Sequence, residues 1–236
     1  MKKARITVLG AGNVGATTAN RLAESHLGEV VLVDVVEGMP QGKALDLAQA
    51  AALVGRDCVV AGADDYRATA ASDVIVVTAG FACRSRMSRD DLRDANAAIV
   101  AECVRRVVKH SRDAVIVVVT NPLDAMCEVA RRASSFPPER IVGMSGVLDA
   151  ARMRVGIAAA MGVSVDSVSA LVLGSQDFVA TPMGVRVRRQ HGVERGFVGD
   201  GTDVDRIRVF GLHEHEPEVC VLLRQHVQHG DELGCC

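Results

Sequence analysis

The chain has 236 residues, enough for one large domain or for two smaller domains that share an interface. Hydrophobic residues make up 49% of the sequence and charged residues 24%, with no Trp and one Tyr, which is typical of a globular protein with an aliphatic core. The formal net charge of −2 provides no field that would attract phosphate backbones or anionic lipid, so nucleic acid and membrane surfaces are excluded as expected partners.

The amino-terminal segment MKKARITVLGAG has a basic start and a short apolar run, as a signal peptide has. The run breaks at Gly10 before any site that resembles a cleavage site, so we interpret it as a first strand. No apolar run approaches the length of a membrane span, and the seven cysteines include no C-x-x-C pair. We therefore expect a cytoplasmic protein with reduced thiols.

From Arg5 to about Leu173, short β-branched runs alternate with longer helical stretches, which predicts an α/β fold with a doubly wound parallel sheet. Runs such as VIVVT and VIVVV need no polar alternation because helices cover both faces of such a sheet. Strands are predicted at Arg5–Leu9, Val30–Val33, Cys58–Ala61, Val74–Thr78, Ala114–Val119, Ile141–Val142 and Ser169–Leu173. Helices are predicted at Val14–Ser25, Gly42–Ala52, Asp90–His110, Leu123–Ala133 and Leu148–Met161.

The character of the sequence changes after Pro182. Met183–Pro217 shows little period of 2 or 3.6, and only Glu218–Val227 recovers a helical spacing, which predicts a helix there. His and Cys are frequent near the carboxyl terminus, but their spacing does not match a familiar zinc site. No metal site is predicted.

A glycine-rich motif, G-A-G-N-V-G at Gly10–Gly15, follows the first predicted strand and precedes a helix. In that context the first glycine makes a tight turn, the second lets the backbone approach a pyrophosphate, and the third lets helix and strand pack closely. Asp34 ends the next strand, 19 residues after Gly15, where its carboxylate can bind ribose hydroxyls and would repel a 2′-phosphate. The combination predicts NAD as the cofactor, and the alternative is a tight turn without a ligand.

Three charged residues further along the chain are candidates for a substrate-binding site. Asp149 and Arg152 are three apart on a predicted helix and share a face. Arg89 heads another predicted helix, where its guanidinium can reach a carboxylate. Taken alone, each arrangement is more typical of a surface salt bridge than of a site.

The order of the motifs is more specific than any one motif. GAGNVG, VDVVEGMPQGKALDLAQA, MSRDDL, VTNPLDAM and GMSGVLDAARMR resemble, in sequence and in order, the malate dehydrogenases of the lactate dehydrogenase-like group. The resemblance covers about residues 4 to 174. It implies a Rossmann-type dinucleotide-binding domain at 1–145 and a second α/β substrate domain at 146–236, which looks truncated because the likeness fades after about residue 174.

Carried over by position, the resemblance implies that the substrate is a dicarboxylate, malate or oxaloacetate, and that the chain forms a homo-oligomer. Arg84, Arg89 and Arg152 would bind the substrate carboxylates, and Asn121 would bond the substrate oxygen. Asp149 would orient the histidine of an Asp-His proton relay. The implied NAD-binding residues are Gly10, Ala11, Gly12, Asn13, Val14, Gly15, Asp34, Asn96, Val119, Thr120 and Asn121. Of these, Asn96 and the segment Val119–Asn121 would line the nicotinamide side of the site.

The sequence departs from the family pattern at two functional positions. The turn that should read Gly-His-Gly-Asp reads GSQDFVATP, which puts Gln176 at the position of the catalytic histidine. A neutral Gln can donate a hydrogen bond but cannot relay a proton. Asp177 beside it is an alternative base, although a solvated Asp in a turn is the more ordinary interpretation. In GFACRSRM, the arginine that selects malate aligns with Cys83, and Arg84 lies one place later.

Two functions from different classes remain open at this point. The first is an NAD-dependent malate dehydrogenase that is weak or inactive because of Gln176. The second is a non-catalytic NAD-binding protein that kept the scaffold after losing the base. A dehydrogenase for another 2-hydroxy acid is a third possibility, because Cys83 puts the discrimination for malate in doubt.

Overall fold

The computed structural model describes residues 3–82, 88–173, 181–188, 194–197, 207–211 and 219–221. The described chain forms two compact units, which part between Met144 and Ser145. Within the described residues, no helix has the length and apolarity needed to cross a membrane.

The first unit is built on a six-stranded parallel sheet in the order β3-β2-β1-β4-β5-β6. Its strands are β1 Ala4–Leu9, β2 Gly28–Val33, β3 Val60–Ala63, β4 Val74–Val77, β5 Val115–Val118 and β6 Ile141–Gly143. Its helices are α1 Asn13–Glu24, α2 Met39–Leu53, α3 Arg89–Val107 and α4 Leu123–Ser134. The predicted doubly wound parallel sheet is confirmed, and the strand order reverses between β1 and β4, the place where such sheets bind ligands.

Apolar side chains cover both faces of this sheet. One buried cluster joins Ile75, Val77 and Ile116 to side chains of α3 and α4, and a second joins Val8, Leu32 and other residues to α1. The strands therefore need no polar alternation.

Element boundaries in the first unit differ from the prediction by up to three residues, and α2 and β3 show the cause. Helix α2 begins at Met39, three residues before the predicted start, because Gly38 has a left-handed φ of 75° and Pro40 is tolerated in the first helical turn. Strand β3 begins at Val60, two residues later than predicted, because its register is set by pairing with β2 from Val30 onward.

The second unit begins with helix α5 Val147–Met161, which packs against strand β7 Val168–Leu173 through Ile157, Ala158 and Val168. Arg154 fastens the two elements, because its Nε donates to the carbonyl of Val168 at 2.7 Å. The remaining strands complete an antiparallel sheet in the order β11-β10-β9-β8-β7, with β8 Thr181–Arg188, β9 Glu194–Phe197, β10 Ile207–Gly211 and β11 Val219–Val221.

The sequence interpretation was wrong about parts of this sheet. Strands β8, β9 and β10 lie in the region where no regular structure was predicted, although Val185–Arg188 alternates Val and Arg with the period of a strand. The helix predicted at Glu218–Val227 is wrong over Val219–Val221, which pairs antiparallel with β10. In this short segment the pairing with the neighbouring strand decides the structure, although the apolar residues are also spaced as in a helix.

Candidate dinucleotide-binding site

The glycine-rich turn joins β1 to α1 at the carboxyl edge of the sheet. Gly10 has a φ of +99° and donates its N–H to the carbonyl of Val33 at 2.8 Å, and a Cβ added to it would lie 2.8 Å from the nitrogen of Ala79. A Cβ on Gly15 would lie 1.8 Å from the carbonyl oxygen of Gly10. A Cβ on Gly12, in contrast, would meet no atom of the described residues within 4 Å. The first and third glycines are therefore needed for packing, whereas the second borders open space.

Helix α1 directs its amino end into this turn. Gly12 is its N-cap, and among the described residues no side chain caps the helix there. The amides of Asn13, Val14 and Gly15 lack acceptors within the helix, and they carry the positive end of its dipole. A diphosphate fits these unpaired donors beside the open space at Gly12.

Asp34 lies just beyond β2 and is hydrogen-bonded to the turn. Its Oδ2 accepts from the N–H of Ala11 at 2.6 Å, and its Oδ1 accepts from the N–H of Val36 at 3.0 Å. Each carboxylate oxygen has a further lone pair, so Asp34 can hold the turn and still accept a ribose hydroxyl. The structure thus brings together Asp34 and Ala11, two of the residues predicted to bind the cofactor.

Thr78, which the sequence analysis did not select, holds the turn from the other side. Its Oγ1 donates toward the carbonyls of Leu9 at 2.9 Å and Gly10 at 3.1 Å. The turn after β1 is therefore fastened to both neighbouring strands, by Asp34 after β2 and by Thr78 after β4. A hydroxyl residue at the end of a central strand is the only sequence signal that could have identified Thr78.

Val119 and Thr120, also predicted to bind the cofactor, follow β5 and contact the end of β4. Val119 donates its N–H to the carbonyl of Val77 at 2.9 Å. The Oγ1 of Thr120 lies 2.8 Å from the carbonyl of Ala79 and 3.2 Å from that of Val77. The segments after β4 and β5 are consequently joined along the same edge of the sheet.

Asn96 lies in α3 and is buried, with an exposed fraction of 1%. Its Oδ1 accepts from the N–H of Phe81 at 2.7 Å, and its Nδ2 donates to the carbonyls of Phe81 at 3.2 Å and Asn121 at 2.7 Å. The side chain of Asn96 thus contacts the backbone of both segments, so the structure brings Asn96 and Asn121 together.

The predicted pair Asp149 and Arg152 lies on α5, in the second unit. Nη1 of Arg152 lies 3.1 Å from Oδ1 of Asp149, and the side chain of Arg152 is 70% exposed. Because exposed ion pairs of this kind add little stability, both groups are available for other roles.

Other predicted site residues lie wholly or partly outside the described residues. Arg89 is the first residue of α3, after the N-cap Ser88, but its side chain lies outside the described residues. Arg84 and Gln176 lie wholly outside them, as do Cys83 and Asp177. In the described part of the chain, no group of three or more His, Cys, Asp or Glu residues could hold a metal ion.

The sheet order, the glycine-rich turn and the carboxylate after β2 define a Rossmann-type dinucleotide-binding domain. Residues 4–143 match the family model described as the lactate/malate dehydrogenase NAD binding domain. The chain belongs to the lactate/malate dehydrogenase family, which confirms the resemblance found in the sequence.

Malate and lactate dehydrogenases are among the proteins that this chain resembles. The malate dehydrogenase of Desulforudis audaxviator is 50% identical over 183 residues, which cover 78% of this chain and 59% of the relative. The solved malate dehydrogenase of Salinibacter ruber is 46% identical with a TM-score of 0.71, covering 76% of this chain and 57% of that one.

A lactate dehydrogenase from Cryptosporidium parvum, solved with lactic acid and nicotinamide adenine dinucleotide, is 36% identical with a TM-score of 0.69. The match covers 74% of this chain and 55% of that one. The chain therefore spans less than two thirds of the length of the relatives that it matches.

Proposed function

We propose that the chain binds NAD(H) at the glycine-rich turn and is a malate dehydrogenase by descent, with very slow hydride transfer between L-malate and oxaloacetate. The observation that carries the proposal is the open space at Gly12, bordered by the amino end of α1 and by Asp34. The similarity to malate dehydrogenases at about half of the aligned positions supports the substrate class.

The choice of NAD over NADP rests on Asp34. In the described part of the chain, the hydrogen bonds to its carboxylate come from the neutral backbone amides of Ala11 and Val36. A ribose with two free hydroxyls can donate to this carboxylate, whereas a 2′-phosphate would place negative charge against it.

The proposed substrate contacts come from charged residues carried over from the family. Arg84, Arg89 and Arg152 are proposed to bind the two carboxylates, because guanidinium groups bind carboxylates in a bidentate manner. Asn121 is proposed to bond the oxygen at C2. The cofactor supplies the hydride acceptor when it is bound, and the substrate hydroxyl proton needs a base of the protein.

Gln176 is the reason for proposing slow turnover. It stands at the position of the family's catalytic histidine and offers no basic nitrogen, so Asp149 has no imidazole to orient. Loss of a general base typically lowers the rate by about 10² to 10⁴. Gln176 equally favours a second candidate function, a non-catalytic protein that binds NAD(H).

A third candidate function is a dehydrogenase for another 2-hydroxy acid. Cys83 stands where the malate-selective arginine is expected, so the preference for a dicarboxylate depends on Arg84. A homo-oligomer is proposed from the family resemblance alone.

A coupled binding and turnover assay tests the proposal. NADH is titrated into the purified chain and followed by fluorescence, and oxaloacetate or pyruvate is then added while NADH absorbance is recorded. We expect saturable binding of NADH and, with oxaloacetate, oxidation at least about 100-fold slower than that of the Salinibacter ruber enzyme. A rate equal to that of the Salinibacter enzyme would show that the missing base is wrongly assigned, and faster oxidation with pyruvate would favour the third candidate.

A further inference from the structure

We propose that Asn96 is a positioning residue, which fixes the backbone on the nicotinamide side of the site without its side chain touching the cofactor. The identity of the ligand in this proposal rests on the proposed function. The hydrogen bonds of Asn96 to Phe81 and Asn121 do not depend on that identity.

Both N–H donors of Asn96 are committed to the backbone. A carboxamide has two N–H donors and one oxygen with two lone pairs. The donors face the carbonyls of Phe81 and Asn121, and the oxygen accepts the N–H of Phe81. A ligand that took either donor would leave a buried carbonyl without its partner, which is costly. With 1% of its surface exposed, Asn96 also offers a ligand almost no contact area.

The two segments that Asn96 joins are packed too closely to move independently. A Cβ on Gly80 would lie 2.7 Å from Cγ2 of Thr120 and 3.0 Å from Oδ1 of Asn96. The Oγ1 of Thr120 reaches back to the carbonyl of Ala79. Displacing the amide of Asn96 would therefore shift the backbone on both sides of this contact, including the residue proposed to bond the substrate oxygen, Asn121.

The adenosine side of the site is held by other side chains. Asp34 and Thr78 fasten the glycine-rich turn through Ala11, Leu9 and Gly10, and none of these bonds involves Asn96. A change at Asn96 should accordingly affect the two ends of the cofactor differently, whereas a general loss of structure would affect both ends alike.

The variant Asn96→Asp tests the role of the N–H donors of Asn96, because it removes them and keeps an acceptor oxygen. It keeps an oxygen for the N–H of Phe81 and replaces the amino group with a second oxygen, which then faces the carbonyls of Phe81 and Asn121. Ser111→Ala is the matched control, because Ser111 is 2% exposed and bridges Ser72 and Thr69 at the opposite, amino-terminal edge of the sheet.

Calorimetry tests the proposal by measuring the affinities of the wild type, Asn96→Asp and Ser111→Ala for two ligands. The ligands are NADH and ADP-ribose, which lacks the nicotinamide. We expect Asn96→Asp to weaken NADH by about tenfold, as loss of one hydrogen-bonded contact would, and to leave ADP-ribose within about twofold. Ser111→Ala should leave both affinities within about twofold. An equal loss for both ligands, or unchanged NADH binding, would overturn the proposal.

Hydrogen exchange in the ligand-free protein supplies a second measurement that needs no cofactor. Asn96→Ala removes the acceptor of the Phe81 amide, so that amide should exchange faster than in the wild type and in Ser111→Ala. Unchanged exchange at Phe81 would contradict the positioning role. If the wild type bound neither ligand, the proposed function would fail, and exchange at Phe81 would still decide the role of Asn96.

Discussion

Gly12→Ala is expected to abolish measurable NADH binding while changing the free energy of unfolding by no more than about 0.5 kcal/mol. The added methyl group meets no atom within 4 Å in the part of the chain that the structure describes, and the φ of Gly12, −66°, is ordinary for an alanine. The same methyl group would stand in the space that a diphosphate must enter to reach the amides of α1. Fluorescence titration with NADH and urea denaturation measure the two effects separately.

Gly15→Ala is the contrasting variant. Its Cβ would lie 1.8 Å from the carbonyl oxygen of Gly10, so α1 must move away from β1. Overpacking of this kind typically costs about 1–3 kcal/mol, and NADH binding should fall together with stability. Tight NADH binding by Gly12→Ala would refute the proposed diphosphate position, and an unchanged stability of Gly15→Ala would refute the close packing of helix and strand.

Gln176→His is expected to raise the rate of malate oxidation by about 10² to 10⁴, because it restores a side chain that can accept the hydroxyl proton. Only the neutral imidazole accepts a proton, so the rate should rise as the pH increases through the ordinary histidine pKa of about 6.5. NADH absorbance at saturating malate and NAD measures the effect.

Gln176→Asn is the matched control, since it changes the side chain without adding a base. Its rate should stay at the level of the wild type. Failure of Gln176→His to exceed this control would indicate that Arg89, Arg152 and Asn121 do not assemble around a substrate, which would favour the non-catalytic alternative.

The first unit was predictable because its signals are local and repeated. Runs such as VIVV at β4 and β5 are too apolar for a surface strand, and the helices between them leave few other arrangements than a parallel sheet. The boundaries of β3 and α2 were not predictable to the residue. They depend on the pairing of Val60 with Val30 and on the left-handed conformation of Gly38, which are tertiary and backbone features.

The antiparallel strands of the second unit were missed for a different reason. Each is short, and the alternation of Val and Arg at Val185–Arg188 spans only four residues. At Val219–Val221 the same few residues fit a helical spacing and a strand equally well, and the pairing with β10 decides between them.

The candidate site shows the same division between local and distant signals. Gly10, Gly12, Gly15 and Asp34 were found because their spacing along the chain reflects one strand–turn–helix unit. Thr78 was not found, because its contact with Gly10 joins residues 68 apart and depends on β4 lying beside β1. The positioning role proposed for Asn96 likewise depends on which segments α3 reaches, and it is an alternative to the cofactor contact that the resemblance implies for this side chain.

Calorimetric titration of the purified chain with NADH and with NADPH tests most directly whether the turn after β1 holds a dinucleotide beside Asp34. Circular dichroism first establishes that the sample is folded. We predict saturable heat with NADH and binding of NADPH at least about tenfold weaker, equivalent to about 1.4 kcal/mol, because the 2′-phosphate would face the carboxylate. Folded protein that produced no binding heat with NADH, or that bound both coenzymes equally, would contradict the proposed site.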